Sequence, residues 1–372
     1  QFLFQYKMAK ILTKKLSISN LFNCEDITDF MNSIVQVMEF DGTSTNRFFL
    51  CEHNNIKFLV KVGFYKKSSM ELYSKKISTT ISHQDAEIGI LDIFKKKIID
   101  KNISSCIIEL VYAKLCTNVT KLLPNGKRCE NLVIGYVDES YEGEIDKILC
   151  NYIGLVKNGL AYNKLAFLVL ERCNMTLRHF LQQSTITPIY IAIFKSLLFQ
   201  IIHCIYALNK LYPKFRHYDL HTENVMLKID TSYKYKITSP KFLIYTVEDV
   251  KYIIPYFGII PKLIDFGFSS LPEEGIISNM TEDKLQMYTR ADNDLLFLFY
   301  WILDSANEST EIDKILSQLE PNRAYIHYNA NYIKKIESKI PTYSQMIKNN
   351  IWDEYKNYSI DNSQIHWEYT SL

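Results

Sequence analysis

A polar stretch in the middle of this 372-residue chain brings together side chains that could support chemistry. The stretch RHYDLHTENVML places Asp219 and Asn224 five positions apart, beside His217 and His221 and just before an apolar strand. A second stretch, LIDFGFS, places Asp265 at the end of another apolar strand. Carboxylate and amide oxygens bind hard divalent cations, and a carboxylate can accept the proton of an attacking hydroxyl. The pattern therefore indicates phosphoryl transfer, which needs metal, a base and a cation on the phosphates.

The composition allows a large folded core but gives no electrostatic argument for a polyanionic partner. The hydrophobic fraction is 47%, and 43 Lys plus Arg nearly balance 41 Asp plus Glu, leaving a formal charge of +2. This predicts one bilobal unit or two domains. Because the charges balance, no nucleic-acid partner and no anionic membrane surface is expected.

The eight cysteines are scattered, contain no C-x-x-C, and lie in a chain without a visible secretory leader. This pattern predicts reduced thiols and a cytoplasmic location. The long apolar stretch 187–208 is interrupted by Lys195, Gln200 and His203. Thr187 as an N-cap and Pro188 at the first helical position predict a buried helix of a soluble domain, so no transmembrane segment is expected.

Elements that would position the polar residues follow from the hydrophobic patterns. The first half reads as strands with one main helix, and its β-branched and aromatic runs predict a three-stranded meander. The ranges are strands at 33–40, 47–53 and 56–64, a helix at 82–99, strands at 106–115 and 165–172, and between them an insertion at 116–164 with some helix. After residue 173 the pattern is helical, then strand-rich over 241–270, and the remainder is predicted to be mainly helical.

The motifs and their order resemble the protein-kinase-like superfamily, from about residue 33 to the end of the chain. HYDLHTEN resembles the kinase catalytic loop, LIDFGFS resembles the Asp-Phe-Gly segment, and FLVKV resembles the third-strand lysine motif. The resemblance implies an α+β, bilobal fold with an antiparallel-sheet N-lobe carrying one main helix and a mostly helical C-lobe. It implies an N-terminal extension at 1–32, an N-lobe at 33–173 with an insertion at about 116–164, and a C-lobe at 174–372 with an insertion at about 230–258.

The resemblance also implies roles for individual residues. Asp219 would be the catalytic base, and Asn224 and Asp265 would hold magnesium. Lys61 would bind the nucleotide phosphates, with Glu87 as its ion-pair partner and Glu71 as the alternative partner.

The nucleotide itself would contact three further segments. Gly42 and Thr43 would lie in the loop that covers the phosphates, and Glu171 to Cys173 would expose backbone groups to adenine, with Leu170 at the gatekeeper position. Asp294, in TRADNDLLFLFYWIL, would accept backbone hydrogen bonds near His217.

Several residues depart from the pattern of serine/threonine kinases. The phosphate-covering loop has Gly42 as its one glycine, Tyr218 replaces the usual Arg, and His221 replaces a Lys. No Ala-Pro-Glu follows Asp265. These departures leave two alternatives open, namely a small-molecule phosphotransferase of the same fold and a pseudokinase that acts as a binding module.

The function implied by the resemblance is that of an ATP- and Mg²⁺-dependent serine/threonine protein kinase. The insertion before Asp265 and the segment PTYSQMIKNNIWDEY are similar to the kinases of large DNA viruses, including the poxvirus virion kinase group. ATP and protein substrates are the expected partners, and the oligomeric state is left open. The expected location is the host cytoplasm and, for a packaged protein, the virion.

Overall fold

The computed structural model describes most of the chain as two compact units. The described residues are 18–38, 47–67, 81–122, 145–183, 186–235, 239–277, 293–307, 309–320, 340–356 and 359–370. The first unit comprises Gln1–Gln84 with Leu110–Arg172, and the second comprises Asp85–Glu109 with Cys173–Leu372.

An antiparallel sheet of five strands dominates the first unit, in the order β1-β2-β3-β5-β4. The strands are β1 (Ile34–Met38), β2 (Arg47–His53), β3 (Ile56–Lys66), β4 (Leu110–Thr117) and β5 (Ala161–Leu170). Asn54 and Asn55 join β2 to β3 with φ of 51° and 59°. Asparagine tolerates this left-handed region, which the tight turn of a β-hairpin requires. The predicted three-stranded meander is confirmed.

The core of the first unit forms on one face of this sheet. Phe58, Val60 and Val62 of β3 are buried in this core. They lie two positions apart along the strand, and residues at that spacing point to the same face of a sheet. Helix α1 (Thr28–Ser33) and helix α3 (Ile145–Lys157) contribute Phe30 and Tyr152 to the same core. Helix α3 lies in the segment 116–164, where some helix was predicted.

The prediction of reduced thiols is wrong for at least three cysteines. Cys24 and Cys116 form a disulfide with their Cα atoms 5.2 Å apart, although 92 positions separate them along the chain. Cys150 is also disulfide-bonded. The bond depends on where the segment before α1 meets β4, which no local spacing encodes. The cytoplasmic location stays a prediction.

The main helix of the first half was predicted at 82–99, and helix α2 (His83–Phe94) continues into a π-helical turn, Lys95–Ile99. Residues 85–109 group with the second unit, whereas the resemblance implied that they belong to the N-lobe. Phe94 is the physical reason, since its ring lies 5.4 Å from that of Phe215 and 5.6 Å from that of Phe266. These aromatic contacts anchor the end of α2 in the second unit.

A long buried helix runs through the second unit. Helix α5 (Pro188–Leu211) begins as predicted, because the Thr187 hydroxyl accepts a hydrogen bond from the Tyr190 N–H at 3.2 Å. Of the helices in the described ranges, it is the one long and apolar enough to cross a membrane, and 78% of its apolar window is buried inside the protein. That burial is typical of a core helix.

Two small sheets lie in the described part of the second unit. One has the order β10-β7-β6, formed by β10 (Ile259–Leu263), β7 (Val225–Ile229) and β6 (Met175–Thr176). The chain leaves β7 and returns to β10 at one point, where the Asp230 N–H donates to the Gly258 carbonyl at 2.8 Å. Gly258 has a φ of 77°, a region that favours glycine. An inserted hairpin therefore leaves the pairing of β7 with β10 intact.

The second small sheet has the order β11-β8-β9 and adds one short strand to a C-terminal remainder whose described residues are mainly helical, as predicted. The inserted hairpin supplies β8 (Lys241–Val247) and β9 (Val250–Tyr256), and β11 (Ile365–Glu368) pairs parallel to β8. Tyr369 then stacks on Tyr245 with ring centroids 4.5 Å apart. A four-residue strand is too short to show a period, so its partner decides its conformation. The other α-helices among the described residues are α4 (Leu177–Gln183), α6 (Asn293–Ser305), α7 (Thr310–Leu319) and α8 (Tyr343–Ile347).

A histidine inside α5 gives the fold a testable pH dependence. His203 is buried, its ring lies 4.6 Å from that of Tyr245, and burial lowers its pKa to about 3. An unfolded histidine has a pKa of about 6.5, so the unfolded chain binds the extra proton as the pH falls. The free energy of unfolding is therefore highest at a pH above the pKa of the unfolded histidine, and it falls as the pH decreases below that pKa. We expect the wild type to lose about 2 kcal/mol more than His203→Phe between about pH 7 and about pH 5.

Urea unfolding at the two pH values measures this difference. The matched control is His179→Phe, because His179 is exposed on α4. The control should keep the pH dependence of the wild type. Equal pH dependence in His203→Phe and wild type would show that His203 is not the group responsible.

Candidate active site

Two strand ends bring the predicted metal ligands onto neighbouring segments. Strand β7 pairs antiparallel with β10, so Val225 lies opposite Leu263. Asn224 directly precedes β7, and its carbonyl accepts a hydrogen bond from the Ile264 N–H at 3.0 Å. Asp265 follows Ile264 with a φ of 58°. Asp adopts this left-handed conformation more readily than most residues, and it redirects the chain at the end of β10.

The side chains of Asp219, His221 and Asn224 lie together on the loop before β7. Nδ2 of Asn224 donates to the Asp219 carbonyl at 2.8 Å and lies 3.3 Å from the Asp219 carboxylate oxygen Oδ2. The same Nδ2 lies 3.1 Å from Nε2 of His221. Nε2 of His221 is 3.8 Å from Oδ2 of Asp219. The structure thus brings the predicted base and one predicted metal ligand into direct contact.

Burial and nearby charges act in opposite directions on His221. Burial lowers its pKa below the ordinary value, because the charged imidazolium loses solvation. The carboxylates of Asp219, Glu223 and Asp265 act in the opposite direction. Asp265, in the Asp-Phe-Gly segment, is thus among the charges that raise the pKa of His221 against the effect of burial.

The backbone of this loop is held by a buried carboxylate on α6. Oδ2 of Asp294 accepts from the His217 N–H at 2.9 Å, and Oδ1 accepts from the Tyr218 N–H at 3.0 Å. Tyr218 has a φ of 63°, which is uncommon for a residue other than glycine. Asp294 is 1% exposed, and burial raises its pKa. The bonds that the resemblance implied for Asp294 are present.

His217 is fully buried and connects this loop to the Asp-Phe-Gly segment. Its Nε2 lies 3.0 Å from the Ile264 carbonyl, and its ring lies 5.0 Å from that of Phe266. The Ser269 hydroxyl donates to the His217 carbonyl at 3.2 Å. These contacts fix the segments on both sides of Asp265, which fits a structural role for His217.

Lys61 and Glu87 lie in different units. Lys61 is on β3 in the first unit, is 1% exposed, and has its Nζ 5.5 Å from the centroid of the Phe48 ring. Glu87 is on α2 in the second unit and is 3% exposed. Lysine and glutamate are rarely buried to this degree without partners, so both side chains have more than a surface role. Their predicted ion pair stays a prediction.

The predicted nucleotide-contacting residues fall partly in the described ranges. Leu170 ends β5 and is buried, while Glu171 and Cys173 are half-buried in the segment where the two units divide. Gly42 and Thr43, and the alternative partner Glu71, lie outside the described residues. Their predicted roles stay predictions.

Trp301 is a neighbour of the site that the sequence reading missed. Its ring lies 6.0 Å from that of His221. Trp301 follows Asp294 by seven residues on α6, and seven residues are about two helical turns. The spacing thus places both residues on one helix face, and it is a signal that could have identified Trp301.

The residues present fit a magnesium ion by the chemistry of their donors. Among the described residues, the side-chain hydrogen bonds of Asn224 all use Nδ2. Its Oδ1 is therefore left to coordinate a cation, and Asp265 offers carboxylate oxygens. Magnesium prefers oxygen ligands and is commonly held by one or two protein groups together with phosphates.

No protein-family profile matches the chain. Over 285 residues the chain is 25% identical to a protein of Acanthamoeba polyphaga mimivirus named "Putative serine/threonine-protein kinase". That match covers 73% of this chain and 67% of the mimivirus protein. A solved crystal structure of a kinase domain is 17% identical in sequence, with a TM-score of 0.39. That match covers 89% of this chain and 81% of the kinase-domain chain.

The predicted α+β fold class is confirmed by the antiparallel five-stranded sheet of one unit and the mainly helical second unit. The order of motifs and the similarity to the mimivirus protein agree with it. The chain therefore resembles the protein-kinase-like superfamily and is similar to a viral protein named as a kinase.

Proposed function

We propose that this chain is an ATP- and Mg²⁺-dependent serine/threonine protein kinase. The observation that carries the proposal is the contact of Asp219 with Asn224 beside the Asp265 segment. A base and two oxygen ligands in this order are the parts that phosphoryl transfer requires of a protein. The name of the mimivirus relative supports the same activity.

In this proposal each residue has a limited task. The Asp219 carboxylate accepts the proton of the substrate hydroxyl at Oδ1 or Oδ2 and keeps that hydroxyl oriented toward the phosphate. Asn224 and Asp265 would hold magnesium, and Lys61 would bind the non-transferred phosphates. Bound magnesium would supply charge neutralisation on the phosphate oxygens. Asp294 and His217 keep the loop in the conformation that these tasks need.

Several finer features belong to the same proposal. The viral similarity supports a viral origin and a host-cytoplasmic location, with protein hydroxyls as acceptors. The position of His221 beside Asp219 favours a second candidate, a small-molecule phosphotransferase, because a lysine is the residue expected there in serine/threonine kinases. The two candidates differ in the acceptor and share the donor chemistry.

A radiolabelled transfer assay with ATP, Mg²⁺ and purified protein tests the proposal. Wild-type protein should label casein-like proteins, and Asp265→Asn should reduce labelling by about 10²-fold or more, because the metal loses a charged ligand. Asp304→Asn, an exposed aspartate on α6, is the matched control and should label as wild type does. Amino-sugars, choline and nucleosides are offered in parallel.

Three results would count against the proposal. Equal labelling by wild type and Asp265→Asn would show that Asp265 does not hold a metal ion needed for transfer. Labelling confined to small molecules would favour the second candidate. If the thermal unfolding curve shows that the protein is folded and no phosphate is transferred, the result would favour a pseudokinase that acts as a binding module.

A further inference from the structure

A disulfide fastens the segment before β1 to the sheet of the first unit. The segment comprises residues 18–33, ends with α1, and is called the backing segment below. Its Cys24 is bonded to Cys116 on β4. Both cysteines belong to the first unit, Gln1–Gln84 with Leu110–Arg172. Because 92 positions separate the two cysteines, the bond joins parts of the chain that would otherwise move independently when unfolded.

The backing segment also packs on the sheet through aromatic side chains. The ring of Phe22 lies 5.1 Å from that of Phe167 on β5. The ring of Phe30 lies 5.9 Å from that of Phe49 on β2. All four side chains are buried in the core of the first unit, and burial of such rings stabilises the contact. The backing segment therefore covers the core face of the sheet.

Lys61 projects from the opposite face of the same sheet. In the pairing of β2 with β3, Phe49 lies opposite Val60, and Phe48 lies opposite Lys61. Phe49 and Val60 belong to the core that the backing segment covers. Successive residues of a strand point to opposite faces, so Phe48 and Lys61 lie on the other face, where Nζ is 5.5 Å from the ring centroid. The backing segment thus supports the strands that carry Lys61.

We propose that the Cys24–Cys116 disulfide is a redox-sensitive clasp that holds the backing segment on the sheet and thereby keeps Lys61 positioned for the nucleotide phosphates. The part concerning the nucleotide rests on the proposed function. The clasp itself rests on the bond and on the aromatic contacts of the first unit. Disulfides of proteins in reducing compartments are usually redox-responsive, which gives this bond a role beyond stability if the chain is cytoplasmic.

Thiol–disulfide exchange with a small disulfide such as oxidised glutathione closes the clasp. One cysteine thiolate attacks a sulfur of the small disulfide, forms a mixed disulfide and releases one small thiol. The second cysteine thiolate attacks the protein sulfur of the mixed disulfide and releases the other small thiol. The cysteines lose two electrons and two protons, and the small disulfide gains them. Excess small thiol reverses these steps, beginning at the half-buried Cys24, because Cys116 is fully buried.

Cys24→Ser opens the clasp at its accessible end and leaves the buried Cys116 unchanged. The matched control is Asn20→Ser, at an exposed position of the same segment. Each full-length protein is studied with and without a small dithiol. Hydrogen–deuterium exchange of residues 18–33 measures docking of the backing segment. The dissociation constant of a non-hydrolysable ATP analogue with Mg²⁺ measures the nucleotide site without any turnover.

Opening the clasp should loosen the backing segment and weaken nucleotide binding together. In Cys24→Ser, and in wild type with dithiol, amide exchange at 18–33 should be faster by about 10-fold or more. The melting temperature should fall by about 5 °C or more, since the unfolded chain is no longer constrained. The dissociation constant of the analogue should rise by about 5-fold or more. Asn20→Ser should match wild type in every measurement.

The outcomes separate the clasp from the proposed function. Unchanged exchange at 18–33 in both Cys24→Ser and the reduced wild type would overturn the clasp. Faster exchange with an unchanged dissociation constant would overturn its link to Lys61. A dithiol effect as large in Cys24→Ser as in wild type would assign the redox response to the disulfide of Cys150. A folded wild type that binds no analogue would overturn the proposed function, while the exchange data would still decide on the clasp.

Discussion

Asp219→Asn is expected to lower the rate of phosphoryl transfer by about 10²- to 10⁴-fold, the range associated with loss of a general base. Asparagine cannot accept the proton of the substrate hydroxyl. Its amide can also turn an N–H toward Nδ2 of Asn224, which now donates to Oδ2 of Asp219. The measurement is the initial rate at saturating ATP and Mg²⁺, with protein stability followed by urea unfolding.

The substitution should leave the fold intact, because the side chain of Asp219 is partly exposed at 22%. Asp304→Asn makes the same chemical change at an exposed site on α6 and should keep the wild-type rate. A rate within a few-fold of wild type in Asp219→Asn would assign the base to another group. A large loss of stability would instead mean that Asp219 is structural.

Asp294→Ala should damage both stability and activity. Two buried backbone N–H groups, of His217 and Tyr218, lose their acceptors at 2.9 and 3.0 Å. Part of this loss of stability is offset, because the substitution also removes a carboxylate whose charged form is disfavoured by burial. The raised pKa of Asp294 reflects the same effect of burial. The net loss in the free energy of unfolding should be about 2 to 4 kcal/mol. Transfer should also fall, because Tyr218 is no longer held in its left-handed conformation directly before Asp219.

Urea unfolding gives the stability change, and the transfer assay on the folded fraction gives the activity change. Asp304→Ala removes a carboxylate from the exposed face of the same helix and should stay within about 0.5 kcal/mol of wild type. Asp294→Asn retains one acceptor and should lie between wild type and Asp294→Ala. Wild-type stability in Asp294→Ala would show that the two N–H groups find other acceptors.

Strands and helices with a clear period could be predicted from the chain. The meander at 33–64 has alternating apolar residues and paired turn asparagines, and α5 carries both its N-cap threonine and its first-turn proline. In each case the signal lies within a few neighbouring residues. Strand β11 was missed, because its partner β8 lies far along the chain.

The candidate site could also be predicted only in part from the sequence. The five-residue spacing of Asp219 and Asn224 and the apolar strands before each polar segment could be read from the sequence. The orientation of the Asn224 amide could not, because it depends on which atom of the amide meets the Asp219 carbonyl. The neighbour Trp301 on α6 likewise comes close only when that helix packs beside the loop.

The amino-acid sequence by itself determined the order of the motifs, the α+β class and the residue types available for metal binding and proton transfer. Those properties depend on spacing within short segments, where backbone geometry relates neighbours directly. Tertiary structure alone decided the disulfide of Cys24 with Cys116, the parallel pairing of β11, and the hydrogen bonds that orient Asn224. Each of these joins atoms through packing between separate elements, and packing selects one arrangement among many that the same local pattern would allow.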